Sequence, residues 1–227
     1  TTHEVYVPPG EARVVRIPLP DDATLNPRLV LQGDQHPFDN VAYLARPERE
    51  QVTVVYYGSD KVDDSRGAQY YLHRAFPETD QRAVEVLAQD RNAPVLSTLV
   101  NNVGLIVVTE PPSDEHLQAF ATHMRRGCTL LYVVGSSADT PALSILADCE
   151  VRDITEAQVD GYAMLESIDY EHALFAPFAD ARFSDFTKIR FWKHRHINIE
   201  NLSQTHTLAK FDDGSPALIE LPRDRGR

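Results

Sequence analysis

The chain has 227 residues, 42% of them hydrophobic, with 34 acidic against 22 basic residues and a formal net charge of −12. Those values fit an ordinary globular protein of one good-sized domain, or one domain with a small companion. The acidic balance argues against nucleic-acid binding, which needs a basic face, and no apolar run reaches the ~18 residues of a membrane span.

The opening TTHEVYVPPGE is no signal peptide. Together with the polar ending LPRDRGR it reads as a cut through something larger. Residues 1–50 read as β. Extended runs flank a Pro8-Pro9-Gly10 turn, and two more lie around Gly33-Asp34 and Asp39-Asn40. Prolines and turn residues break any helix there. So short a segment lacks a core of its own and is expected to be the end of a β-sandwich module or an arm.

From Gln51 the pattern changes. QVTVVYYGSD, NVGLIVVTE and CTLLYVVGS are continuous apolar runs, the mark of strands buried on both faces. GAQYYLHRAFPE reads as a helix ended by Pro77. QRAVEVLAQD fits a short helix or a strand, and PVLSTL a weak strand. SDEHLQAFATHMRRG is the clearest helix, capped by Ser113 or Asp114 and closed by Gly127. Its stripe is Leu117, Phe120, Ala121 and Met124, with His116 and His123 expected on a solvated face. TPALSILADC is a short helix with Pro141 in its first turn. This alternation predicts an open parallel α/β sheet over residues 51–227 with a short all-β segment before it. TKIRFWKHRHINIE and the hairpin-like THTLAKFDDGSPALIEL, turning at Asp212-Asp213-Gly214, are expected to extend the same sheet.

In such sheets ligands bind beyond the carboxyl ends of the strands. The candidate crevice is therefore Gly58, Ser59, Asp60, Glu110, Gly135, Ser136 and Ser137. Ser136 would need a general base and a strained elbow to act as a nucleophile. VGSSA lacks the second elbow glycine, and no histidine can be assigned as base. A turn-capping serine is the simpler reading. Glu110 and Asp60 are the other candidate catalytic groups. No G-x-G-x-x-G is present, and no cofactor is expected. His194 and His196 alternate on one strand face and could chelate a metal, but Lys188, Arg190, Lys193 and Arg195 surround them. That stretch reads better as a solvent-facing basic strip suited to an acidic partner. Asp34, Asp39, Asn40, Asp212 and Asp213 do not space as a calcium loop and fit Asx turns. Cys128 and Cys149 are too few for a disulfide framework or a metal spacing and are expected as buried thiols.

The series LQGDQHPFDNVAYLA, VTVVYYGSD with YYLHRAF, HALFAPFADARFSDFTKIRFWKHR and LAKFDDGSPALIE…RGR resembles the C-terminal region of large bacterial proteins related to BatA. These are membrane-anchored and carry a von Willebrand factor A domain. The later part looks like a class I glutamine amidotransferase-like domain of the ThuA type. The resemblance implies a flavodoxin/amidotransferase-like sheet with helices on both faces, and one more strand after RGR. It also implies a soluble domain of an envelope protein, periplasmic or on the cytoplasmic face. Its partners would be proteins or other domains of the parent chain. The family nucleophile is a cysteine at the place held by Gly135-Ser136, and its histidine and glutamate partners have no equivalent. The expectation is therefore a non-catalytic ligand- or protein-binding scaffold. The alternatives are a hydrolase or transferase using Ser136, Glu110 or Asp60, and a carbohydrate- or small-molecule-binding crevice. The four phenylalanines of FAPFADARFSDF are expected to pack into the core.

Overall fold

The computed structural model describes residues 2–17, 28–33, 37–44, 49–79, 81–95, 102–180, 182, 185–199 and 205–227. The chain divides into two units, Thr1–Glu48 and Arg49–Arg227.

In the first unit β1 (Arg28–Val30) pairs antiparallel with β2 (Val41–Tyr43), in the register Leu29 to Ala42. None of the unit's described residues is buried. The expected turn at Pro9-Gly10 is present, with Glu11 N–H donating to the Pro8 carbonyl at 3.1 Å. The runs beside it, over residues 2–17, form no strand: no second backbone pairs with them among the described residues. Asp34 lies outside the described residues.

The second unit is built on four parallel strands: β3 (Glu50–Tyr57), β4 (Arg82–Gln89), β5 (Val103–Val108) and β6 (Thr129–Tyr132). Their order is β4-β3-β5-β6. The ambiguous QRAVEVLAQD run is thus a strand, paired with β3 along its whole length. Most of PVLSTL lies outside the described residues. β3 and β5 are central, which is why their apolar runs do not alternate: Val54 through Tyr57 and Ile106 through Val108 are all buried. One face of the sheet, carrying Val55, Tyr57, Ile106 and Val108, packs on α2 (Asp114–Arg125) and α3 (Thr140–Ala147) through Leu117, Phe120, Met124, Ala142 and Leu146. Tyr57 and Phe120 meet edge to face at 5.4 Å, a geometry that adds about 0.5–1.5 kcal/mol to simple burial. α1 (Ala68–Ala75) adjoins β4.

α2 begins and ends as its sequence predicts. Ser113 caps the N-terminus, Asp114 and Glu115 occupy the first turn, and Gly127 closes the helix at φ 107° with its N–H on the Met124 carbonyl at 2.9 Å. The two histidines differ from expectation. His116 and His123 are buried, 1% and 8% exposed. The helix's inward stripe is 116, 117, 120, 123 and 124, so it is wider than its apolar members alone indicate.

The strands after Cys149 also differ from expectation. β7 (Val151–Glu156) pairs antiparallel with β9 (Arg195–Ile199), while β8 (Leu165–Ile168), β10 (His206–Phe211) and β11 (Pro216–Glu220) make a separate antiparallel sheet in the order β11-β10-β8. None of them extends the parallel sheet. Their ladders are met by one another in antiparallel pairs, of which only β10–β11 is joined by a tight turn. The β10–β11 turn is where it was predicted, with Gly214 N–H on the Phe211 carbonyl at 2.9 Å. The FAPFADARFSDF phenylalanines do not enter the core. Phe175 and Phe178 lie edge to face on Phe186 at 6.2 and 5.6 Å in a partly exposed cluster, because two short 3-10 turns carry them along the surface. Phe183 lies outside the described residues.

Candidate functional site

Because β3, β5 and β6 are parallel neighbours, the three predicted strand ends lie on one edge of the sheet. The structure joins the first two directly. Ser59 donates both its N–H, at 3.0 Å, and its hydroxyl to Glu110 Oε1. Tyr56 and Thr109 share a hydroxyl bond of 2.9 Å just beneath. Gly58 has no room for a side chain: a Cβ there would collide with Tyr56 and Thr109. Asp60, which also lies beside the Tyr56 hydroxyl, accepts Ala68 N–H at 2.7 Å and so caps α1. Burial pushes the Tyr56 phenol up to about 12, so it stays protonated and works as a hydrogen-bonding group. The strand-end polar groups thus hold one another and the nearest helix.

The third end is closed by Asp139. This carboxylate is 1% exposed and accepts three bonds: Tyr132 hydroxyl to Oδ1 at 2.7 Å, and Gly135 and Ser136 N–H to Oδ2 at 2.8 Å each. Ser136 Oγ accepts from Ala138 N–H at 3.2 Å, which completes a capping box across Ser136–Asp139. Ser136 has φ −162° and ψ 179°, an extended and unstrained backbone unlike the sharp turn of a nucleophile elbow. No histidine bonds it among the described residues. Two N–H groups that could cradle an oxyanion here point at Asp139 instead. Ser137 lies within the same 3-10 turn. Arg195 completes the closure, donating to the Gly135 carbonyl at 2.7 Å while pairing with Glu156 at 2.5 Å. Asp139 and Arg195 were missed by sequence reasoning. The signal for Asp139 was its place three residues after a capping serine.

Cys128 sits just before β6, at the opposite end from this edge, and burial pushes its thiol up to about 12. A neutral, buried thiol is a poor nucleophile. Cys149 is partly buried and shifted in the same direction by desolvation.

His194 and His196 differ from their predicted setting. His194 precedes β9, is buried, and stacks on Phe211 with ring centroids 4.1 Å apart. Both imidazoles face one carboxylate oxygen, Asp213 Oδ2, at 3.2 and 3.6 Å. Asp213 in turn accepts Ser215 N–H and hydroxyl, an Asx-type turn at the hairpin tip. Its carboxyl is held below the usual range by Ser215 and the two histidines, against the opposing effect of burial. No group of three His, Cys, Asp or Glu among the described residues is placed to hold a metal ion. The neighbouring basic strip is partly compensated from within, by two carboxylates against four cations. Lys188 pairs with Asp185, Lys193 and Arg195 with Glu156, and Arg190 lies over the Tyr162 ring.

The buried histidines of α2 give a pH dependence. Burial is the main cause that holds both His116 and His123 below the usual imidazole range; Arg126 adds to this at His123, and Glu115 opposes it at His116. Below about pH 6.5 the unfolded chain therefore binds protons that the folded chain refuses. Stability is fully present above the unfolded value and is lost as pH falls below it. Thermal unfolding should show a lower midpoint at pH 5.5 than at pH 7.5, with a shallower fall in a His116→Asn, His123→Gln double variant. A midpoint unchanged on acidification contradicts this.

A further hollow lies elsewhere. A mostly apolar cavity of about 460 Å³ opens between β6, α3 and the β10–β11 sheet, lined by Leu130, Tyr132, Leu143, Leu146, Leu208 and Leu218 among others. Its polar residues include His172, Glu220 and Arg227, where Glu220 pairs with both neighbours at 3.3 and 3.2 Å. No sequence motif pointed to it. No helix among the described residues is long and apolar enough to cross a membrane. No family model and no curated protein matches the chain.

Proposed function

We propose that the α/β unit is a non-catalytic ligand- or protein-binding scaffold domain of a bacterial cell-envelope protein, with a flavodoxin/amidotransferase-like sheet. The strand order β4-β3-β5-β6, all parallel, supports this. Counted from β3 it is 2-1-3-4, the first four positions of the flavodoxin-type order. The helices are fewer than in a full doubly wound sheet. The observation that carries the non-catalytic part is the closure of the strand-end edge. Gly135 and Ser136 N–H end on Asp139, and Ser59 ends on Glu110. An acyl-transfer site needs such N–H donors free to hold an oxyanion and a base bonded to its serine, and no histidine bonds Ser136 among the described residues. Membership of the BatA-related, amidotransferase-like group, and a periplasmic location, belong to the same proposal and rest on the motif series.

The test is turnover of a chromogenic ester, an anilide and free glutamine. The wild type, Ser136→Ala and Glu110→Gln should all match the buffer blank. A wild-type rate that Ser136→Ala abolishes would overturn the proposal in favour of a serine hydrolase.

A further inference from the structure

We infer that the outer edge of β6 is a docking site for an added β-strand. The occupant is another polypeptide segment, extended and apolar on alternate residues, laid along Leu130–Val134 and into the cavity beside it. This rests on the binding-scaffold reading and names the kind of partner.

β6 pairs on one side only, with β5. Backbone groups along a strand point alternately to its two edges. Val133 N–H goes to the Val108 carbonyl on the β5 side at 2.8 Å, so Leu130 and Tyr132 face outward. Leu130 N–H already meets a carbonyl there, that of Arg227, at 2.7 Å. That bond is one ladder rung, at the start of the edge. The next outward groups, the Leu130 carbonyl and the Tyr132 N–H and carbonyl, have no partner among the described residues. Beyond them lies the apolar cavity, with Leu130, Leu131, Tyr132 and Val134 on the β6 side and Leu208, Leu218 and Ile219 on the other.

These two features together select the occupant. A strand edge presents unmet donors and acceptors, and strand addition meets them while alternate side chains fill flanking hollows. An alkyl chain would fill the cavity but leave the Tyr132 N–H and Leu130 carbonyl unbonded. A second copy fits poorly. In a two-fold β6-to-β6 pairing each strand's end must lie where the partner's Arg227 already occupies the start of the edge, held by Leu130 N–H and Thr129. The four residues of β6 span roughly 13 Å, so a short segment suffices.

The probe is a capped octapeptide of alternating Val and Thr with a lysine at each end, and the same peptide N-methylated at its two central residues. Hydrogen exchange of the Tyr132 amide, read by NMR, should slow at least tenfold at saturating peptide. The N-methylated peptide should bind at least tenfold more weakly, because it has lost the ladder donors. Leu218→Lys on the facing wall should weaken binding with an unchanged circular dichroism spectrum; if that variant fails to fold, the N-methylated peptide decides. Three results would overturn the strand site. One is no saturable peptide binding, or equal binding of both peptides. Another is a concentration-dependent dimer that protects Tyr132 without peptide. The third is sodium dodecanoate shifting the cavity resonances while the peptide does not. Turnover in the assays above sinks the scaffold reading whatever the peptide does. Absent peptide binding without turnover sinks the strand site alone.

Discussion

Asp139→Ala should lower stability by about 3 kcal/mol, more than any other single change at the strand-end edge. Three donors lose one acceptor: the Tyr132 hydroxyl and the N–H groups of Gly135 and Ser136. Hydrogen bonds to a charged group contribute roughly 1.5–3 kcal/mol each. The sum is discounted because Gly135 and Ser136 are exposed and water can replace part of what they lose. Tyr132 is the costly member. Burial first, and Asp139 second, push its phenol well above the usual range, so it must donate, and without Asp139 it has nothing to donate to. At roughly 2–4 °C per kcal/mol for a domain of this size, the midpoint should fall by about 6–12 °C. Asp139→Asn should cost less, since one amide oxygen remains. Ser136→Ala removes a single cap bond and should cost about 1 kcal/mol. A thermal unfolding series checks this, with Asp139→Ala the least stable, Asp139→Asn next and Ser136→Ala the mildest. If Ser136→Ala proves the most damaging of the three, the serine rather than the aspartate organises the turn.

That ranking also marks how far the sequence could be read. The strands β3, β5 and β6 and the helix α2 were legible because continuous apolar runs and a capped, glycine-closed stripe have few other physical explanations, but β6 is not buried on both faces as its run predicts: it is an edge strand with Leu131 40% exposed. β4 was ambiguous since RAVEVLAQ satisfies both periods over eight residues, and only pairing with β3 decides it. β7 escaped notice because its buried residues, Val151 and Ile154, are three apart instead of two. That the three strand ends share one edge was legible, because it follows from β3, β5 and β6 being parallel neighbours. Its chemistry was not legible, because whether Ser59, Gly135 and Ser136 are free depends on where Glu110 and Asp139 point. His194 misled for a related reason. Its neighbours in sequence are basic and partly exposed, but its neighbours in space are Phe211 and Asp213, some twenty residues on. The cavity beside β6 could not be read at all, since it is a property of how two separate sheets stand beside one strand edge.

Phe120→Ala should be the most damaging core change on α2, at about 3–5 kcal/mol. Phe120 is fully buried and packs edge to face on Tyr57, with the His116 ring 6.1 Å away. Truncation removes its contacts and leaves a hollow beside Tyr57 and His116, which the rigid β3 strand cannot close. A second effect should accompany the first. His116 Nδ1 bonds Ser113 Oγ at 2.6 Å, but its buried Nε2 has no partner. A hollow beside that nitrogen admits water once a polar group lines it. Desolvation is what holds this imidazole below its usual range, so hydrating it should let the value rise toward that of a free histidine. The variant should therefore be much less stable at pH 7.5 and yet lose less of its remaining stability on going to pH 5.5. Urea unfolding at the two pH values separates the two effects. A Phe120→Ala protein that is destabilised but keeps the wild-type acid sensitivity would show that the hollow stays dry, and that His116 is shielded by Tyr57 and α2 rather than by Phe120.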